Sequence, residues 1–291
     1  MARIHVLVAA VLFGTTGTAQ ALVPGAAPLQ VGAARIAVGA LLLAAAARWL
    51  ASSPRTGGRW PRRELAAATV GIAGYQLAFF AAVSETGVAV GTVVALGSAP
   101  ALTGALAYAV DRERLTGRWA ACTALATAGV LLLVLAGADA EVSPGGVGLA
   151  LCAGASYALY TVASKRLLSL GHGPEEVMAR GFGAAAIVLV PVLLARSPDW
   201  LGHADRIALA VYLGAVPTAL AYVLFARGLR HLTAGETSTL TLAEPLTAAA
   251  LGALVLAERP GALAIAGAAL VLTGLVALAA PATRRPVTAN A

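Results

Sequence analysis

Apolar windows long enough to cross a bilayer follow one another along this whole chain, separated by short polar breaks. A hydrocarbon core takes roughly 20 residues of helix to cross. A backbone group left unpaired in lipid is costly, so segments of this length must be helical. The windows run 4–23, 29–50, 64–84, 88–110, 118–137, 146–168, 175–195, 206–229, 233–256 and 261–280. Of the 291 residues 59% are hydrophobic and 11% charged, against about 25% charged in a soluble domain. The expected fold class is an all-α integral membrane protein of ten transmembrane helices. The net charge of +7 does not point to nucleic acid, because the arginines gather at span ends, where they set topology.

The chain repeats itself. At an offset of 145, Arg35 falls on Arg180, Phe80 on Phe225, Thr92 on Thr237, Pro100 on Pro245, Glu113 on Glu258, Arg114 on Arg259 and Gly129 on Gly274. The first span fits the sixth at an offset of about 144, with Phe13-Gly14 on Tyr157-Ala158. Matches of Arg, Pro, Phe and Glu-Arg carry weight in a chain rich in Ala and Leu. Residues 4–137 and 146–280 are therefore expected to be two copies of a five-helix unit. Five is odd, so the second copy enters the membrane from the opposite side, and such inverted repeats are typical of transporters with a site near the bilayer midplane. Residues 1–23 carry the marks of a secretory leader, including "AQA" at 19–21, but the repeat requires them as the first helix.

Charge sets the expected orientation. With the N-terminus in the cytoplasm, that side holds Arg3, Arg48, Arg55, Arg59, Arg62, Arg63, Arg112, Arg114, Arg118, Lys165, Arg166, Arg227, Arg230, Arg284 and Arg285. The outside holds Arg196, Arg206 and Arg259. This asymmetry predicts a multi-pass protein of the bacterial cytoplasmic (inner) membrane with both termini inside.

"LFGTTGTAQAL" (12–22), "AARIAVGALLL" (33–43), "SAPALTGALAYAVDRERLTG" (98–117), "CAGASYALYTVASKRL" (152–167) and "LAEPLTAAALGALVLAERP" (242–260) together resemble the EamA branch of the drug/metabolite transporter superfamily across nearly the whole chain. Phe13 and Tyr157 stand where members of that family commonly have Trp. "GHGPEE" at 171–176 resembles its threonine/homoserine exporter type. The resemblance implies export of amino acids or other small metabolites by alternating access, without ATP and without a cofactor. The partners it implies are a small-molecule substrate and the bilayer, with a second copy of the chain as a candidate.

Glu244 and Pro245 are the most unusual residues of any span. A proline inside a helix cannot donate to the carbonyl four residues earlier, so Pro100 and Pro245 are expected to free the Leu96 and Thr241 carbonyls as symmetric kinks. Irregular backbone at membrane depth is tolerated where it lines a cavity or meets protein. A carboxylate in the membrane costs at least about 2.5 kcal/mol, which makes Glu244 a functional candidate; it would bind a substrate amine or take up a proton. Ala99 stands at the matching position of the first copy. The polar groups Gln20, Tyr75, Gln76, Ser98, Tyr157, Tyr160, Tyr222, Thr239 and Thr241 complete the expected substrate path. Arg35 and Arg180 lie inside spans; Arg180 is expected to pair with Glu236, while Gly91 leaves Arg35 without the equivalent partner. The fifth and tenth spans have no ionisable residue within 119–136 and 262–280 and read as structural.

Two rival classes are an intramembrane enzyme and a channel. His5, His172, His203 and His231 all fall at span ends or in loops, and no span core contains Asp. No Cys/His cluster has metal-ligand spacing, and Cys122 and Cys152 lie within apolar spans. No metal is expected.

Overall fold

A computed structural model describes residues 1–23, 28–49, 60–135, 143–194, 203–257 and 259–280. Among them the regular structure is entirely helical. The elements are α1 (Ala2–Ala21), α2 (Pro28–Trp49), α3 (Arg62–Gly87), α4 (Val90–Asp111), α5 (Gly117–Leu135), α6 (Pro144–Ser169), α7 (Pro174–Leu194), α8 (Ala204–Leu229), α9 (Ala234–Val255) and α10 (Ala262–Ala279). Among the described residues nine of these are long and apolar enough to cross a membrane; α7 adds a helix of 21 residues. The all-helical membrane architecture expected from the windows is the one observed. Glu258, Arg55, Arg59, Arg196, Arg284 and Arg285 lie outside the described residues.

Local chemistry sets the helix ends. Ser143 opens α6, its hydroxyl accepting from Gly146 N–H at 3.4 Å, with Pro144 in the first turn, where a missing N–H costs nothing. Thr233 opens α9 by accepting from Glu236 N–H at 3.0 Å. Between α3 and α4 the helical run is broken at Gly87 (φ 77, ψ 163), a conformation in which a Cβ would be strained.

Helices of one half pack on those of the other. α5 packs on α10, α2 on α7 and α8, α6 on α3 and α4, and α1 on α8 and α9. Without a hydrophobic effect between helices in lipid, close approach at small residues supplies the contact. A Cβ on Gly129 would lie 2.6 Å from Gly267 O, and one on Gly267 would lie 2.7 Å from Gly129 O. Gly129→Val should therefore cost about 1–3 kcal/mol of overpacking and lower the melting temperature in detergent. Gly148→Ala, whose Cβ would meet nothing within 4 Å, should not. Equal melting of the two variants would show that α5 and α10 do not meet at Gly129. Large apolar side chains such as Leu41, Ile187 and Leu254 face outward, as lipid contact requires.

The two prolines are not equivalent, which corrects the expectation of symmetric kinks. α4 stays helical through Pro100. α9 is interrupted: Ala234–Leu240 and Ala243–Val255 are separate helices with a turn at 241–242. The Thr241 carbonyl freed by Pro245 is taken by Glu244 N–H at 2.9 Å. A further irregularity lies in α8, where Ala215–Leu220 is a π-helical segment containing Pro217. Pro217 leaves the Leu213 carbonyl free, and the Thr218 hydroxyl donates to it at 2.7 Å.

Candidate functional site

The break in α9 explains why a carboxylate and a proline stand together at membrane depth. Glu244 and Pro245 lie in the first turn of Ala243–Val255. A first-turn proline has no hydrogen bond to lose, and a helix N-terminus suits an acidic side chain electrostatically. Both residues line a cavity of about 600 Å³.

The cavity draws on both halves of the chain. α1 contributes Phe13, Thr16 and Gln20; α2 contributes Arg35; α3 contributes Tyr75, Gln76, Phe79 and Phe80; α4 contributes Thr92 and Leu96. Tyr157 of α6, Tyr222 of α8 and Glu244, Pro245 and Ala248 of α9 close the other wall. Leu133, Val134, Arg259, Pro260, Gly261 and Ala264 stand at the mouth, where Arg259, Pro260 and Gly261 are exposed. α5 and α10, expected to be purely structural, pack together and also contribute Leu133, Val134 and Ala264 to the cavity.

Arg35 is held in place from behind. Its Nη2 donates to Gln76 Oε1 at 3.0 Å, and Gln76 Nε2 donates to Gly32 O at 3.3 Å. Arg35 Nε is buried and has no hydrogen-bond partner among the described residues. Arg35 acts electrostatically on Glu244, yet among the described residues neither side chain belongs to an ion pair. Tyr157 shares a 3.0 Å hydrogen bond with Thr241 and packs edge-on against Tyr160 and Tyr75. Tyr222 packs against Phe13, with ring centroids 4.8 Å apart, and against Phe182 at 4.3 Å.

Of the expected path residues, Gln20, Tyr75, Gln76, Tyr157, Tyr222, Glu244 and Pro245 come together with Arg35. Ser98, Pro100, Tyr160, Thr239 and Thr241 do not line the cavity. Ser98 donates to Ala95 O and sits where a Cβ on Gly154 would fall. Pro100 is buried in α4. Tyr160 is buried behind the tyrosine wall. Thr239 bonds Trp119 Nε1 at 3.1 Å and Thr123 at 2.8 Å, tying α9 to α5. Thr241 stands behind Tyr157.

The Arg180–Glu236 pair does not form. Arg180 bonds Glu176 one turn away at 3.3 Å and lies 4.2 Å over the Trp60 ring, which stacks on His172. Glu236 instead meets Arg3 at 3.4 Å. Their helices turn the two residues toward different neighbours.

Among the described residues polar contacts cross the Arg-rich face, whereas the exposed lining residues Arg259, Pro260 and Gly261 stand at the opposite end of α9. Glu113 caps the N-terminus of α9, its carboxylate accepting from Ala234 N–H at 3.0 Å and Gly235 N–H at 3.1 Å. Arg166 bridges Asp111 at 3.1 Å and Glu64 at 3.5 Å. Lys165 Nζ donates to the Leu229 and Arg230 carbonyls. Arg227 binds the buried Glu175 at 2.6 Å. Arg3 and Arg118 donate to carbonyls at the end of α10. Sequence reasoning missed these contacts, although the Glu-Arg pair repeated at 113 and 258 was their signal.

The sequence pattern of the EamA-like transporter family matches residues 1–135 and again 144–280. The uncharacterized transporter YwfM of Bacillus subtilis (strain 168) is 41% identical over 289 residues, covering 99% of this chain and 96% of that protein. The threonine/homoserine exporter RhtA of Salmonella typhimurium (strain SL1344) is 36% identical over 170 residues, 57% of this chain and 56% of its own. A crystal structure with 21% sequence identity superposes with a TM-score of 0.83 over 96% of both chains, a likeness of fold alone.

Proposed function

The chain belongs to the EamA-like transporter family, and from that premise we propose that it is a secondary transporter exporting amino acids or other small metabolites by alternating access. It is a multi-pass membrane protein; the reading places it in the bacterial inner membrane with both termini cytoplasmic. One observation carries the proposal. A cavity lined by both halves opens toward one face, while contacts between the halves cross the Arg-rich face beneath it.

The exchange of helix partners supports two inverted units, 4–137 and 146–280. α6 packs on α3 and α4 as α1 packs on α8 and α9, which a two-fold relation between the units requires. The positive-inside rule makes the Arg-rich face cytoplasmic, so this conformation is open to the outside. The name of RhtA, although its match covers 57% of this chain, favours amino acids among the metabolites. The reading is a carrier rather than an enzyme, because among the described residues lining the cavity no base is hydrogen-bonded to a nucleophile.

Metabolite profiling of the medium tests this directly. Overexpression is expected to raise one or a few small metabolites outside the cell, with flux that saturates, and deletion to lower them. Reporter fusions at Ala291 and in the 137–146 loop should report cytoplasmic and external positions respectively. Non-saturating flux would favour a channel, and a periplasmic C-terminus would sink the inverted arrangement.

A further inference from the structure

Arg35 and Glu244 bring opposite charges to one cavity without neutralising each other by an ion pair among the described residues. Among the described lining residues Glu244 is the one acid. The guanidinium is fixed by Gln76, which is itself anchored on Gly32 O, and its Nε is buried without a partner. Nε is closed off from the cavity, and among the described residues the guanidinium's one hydrogen-bond partner is Gln76, so its remaining terminal N–H donors are the ones available to a ligand carboxylate. Glu244, in the first turn of its half-helix, presents the complementary acceptor for an ammonium group. Arg259, the other cation of the lining, is exposed at the cavity mouth, and Phe79 and Phe80 add aromatic wall.

We propose that the cavity binds a free α-amino acid in one orientation, its carboxylate on Arg35, its ammonium on Glu244 and an apolar side chain toward Phe79 and Phe80. This rests on the transporter reading and names the substrate class for the same site. A simple anion or cation would satisfy one of the two groups and leave the other desolvated beside it. A zwitterion satisfies both, and adds no net charge to a cavity within the membrane.

Three probes of one side chain test the assignment: leucine, isoamylamine (which lacks the carboxylate) and 4-methylpentanoate (which lacks the ammonium). Binding is measured by calorimetry on the purified protein in nanodiscs. Leucine is expected to bind at least about tenfold more tightly than either analogue, the equivalent of about 1.4 kcal/mol. Arg35→Gln should erase the preference for leucine over isoamylamine and keep the preference over 4-methylpentanoate. Glu244→Gln should do the reverse. Arg35→Lys keeps the charge without the fork and should fall between, and the melting temperature of each variant checks that it folds. The crossed pattern separates ligand contact from a structural role, which would weaken all three probes alike. Equal binding of leucine and either analogue, no binding of leucine at millimolar concentration, or uncrossed losses would overturn the proposal. Export of a metabolite lacking one of the two charges would overturn it while leaving the transporter reading intact. A crossed pattern without export would uphold the site and remove the transporter reading instead.

Discussion

Glu244→Gln is expected to insert, fold and exchange substrate down its gradient, but to lose accumulation driven by a pH difference. The side chain stands in the cavity where both halves meet, at the head of a half-helix created by the break at 241–242. The ionisable groups that share the cavity with it are Arg35, Tyr75, Tyr157, Tyr222 and, at the mouth, Arg259, of which Arg35 and Arg259 are cations. A carboxylate that holds a proton cannot at the same moment pair with a substrate ammonium, so one group exchanges the two in turn. For one-for-one exchange, a difference of about one pH unit supports about tenfold accumulation, both being a factor of ten in activity. The Gln variant keeps the size and the hydrogen-bonding reach but cannot titrate, so its accumulation ratio should fall to about one. Glu244→Ala should lose exchange as well. Proteoliposome flux with and without an imposed pH difference reads both. Unchanged pH-driven accumulation in the Gln variant would leave Glu244 a structural hydrogen-bonding group and send the coupling role to Glu236 or elsewhere.

The second large effect is expected at Glu113. Its carboxylate takes the two leading N–H groups of α9, joining the α4–α5 loop of the first half to the second. Hydrogen bonds to a charged group are worth about 1.5–3 kcal/mol each when buried, and less here because Glu113 is partly exposed. Losing them should shift the balance toward opening of the Arg-rich face by about tenfold or more. Ser164, 1% exposed on α6 beneath the tyrosines, provides the probe. In a Cys152→Ala background, Ser164→Cys should react slowly with a membrane-impermeant thiol reagent from the Arg-rich side. Adding Glu113→Ala should speed that reaction about tenfold. Labelling that does not change would mean that the Arg-rich face is held by Arg166, Lys165 and Arg227 and that Glu113 only caps a helix.

The repeated Glu-Arg motif illustrates what the chain alone discloses. Its recurrence at an offset of 145 marked residues 113 and 258 as a device used twice, yet only the fold placed Glu113 on Ala234 and Gly235. Depth along a helix is readable, because hydropathy and a rise of about 1.5 Å per residue locate each side chain relative to the bilayer. That is how Glu244 and Pro245 were placed near the middle of a span, Arg35 within one, and the arginine-rich ends on one side. Proline chemistry, likewise local, predicted a freed carbonyl at Thr241. What a helix turns toward its neighbours is a different matter. In water an apolar stripe reveals the buried face, but in lipid the outer face is as apolar as the inner one. Ala and Leu all round therefore conceal which side of α9 carries Thr239 to Trp119 and which carries Glu244 to the cavity. The same blindness paired Arg180 with Glu236, when packing set Arg180 over Trp60 and Glu236 against Arg3. The chain itself determined the membrane class, the helices and the depth of each polar group. Azimuth and neighbour, and with them the meeting of Arg35 and Glu244 and the break at Pro245 but not at Pro100, were decided only by the tertiary packing of small residues.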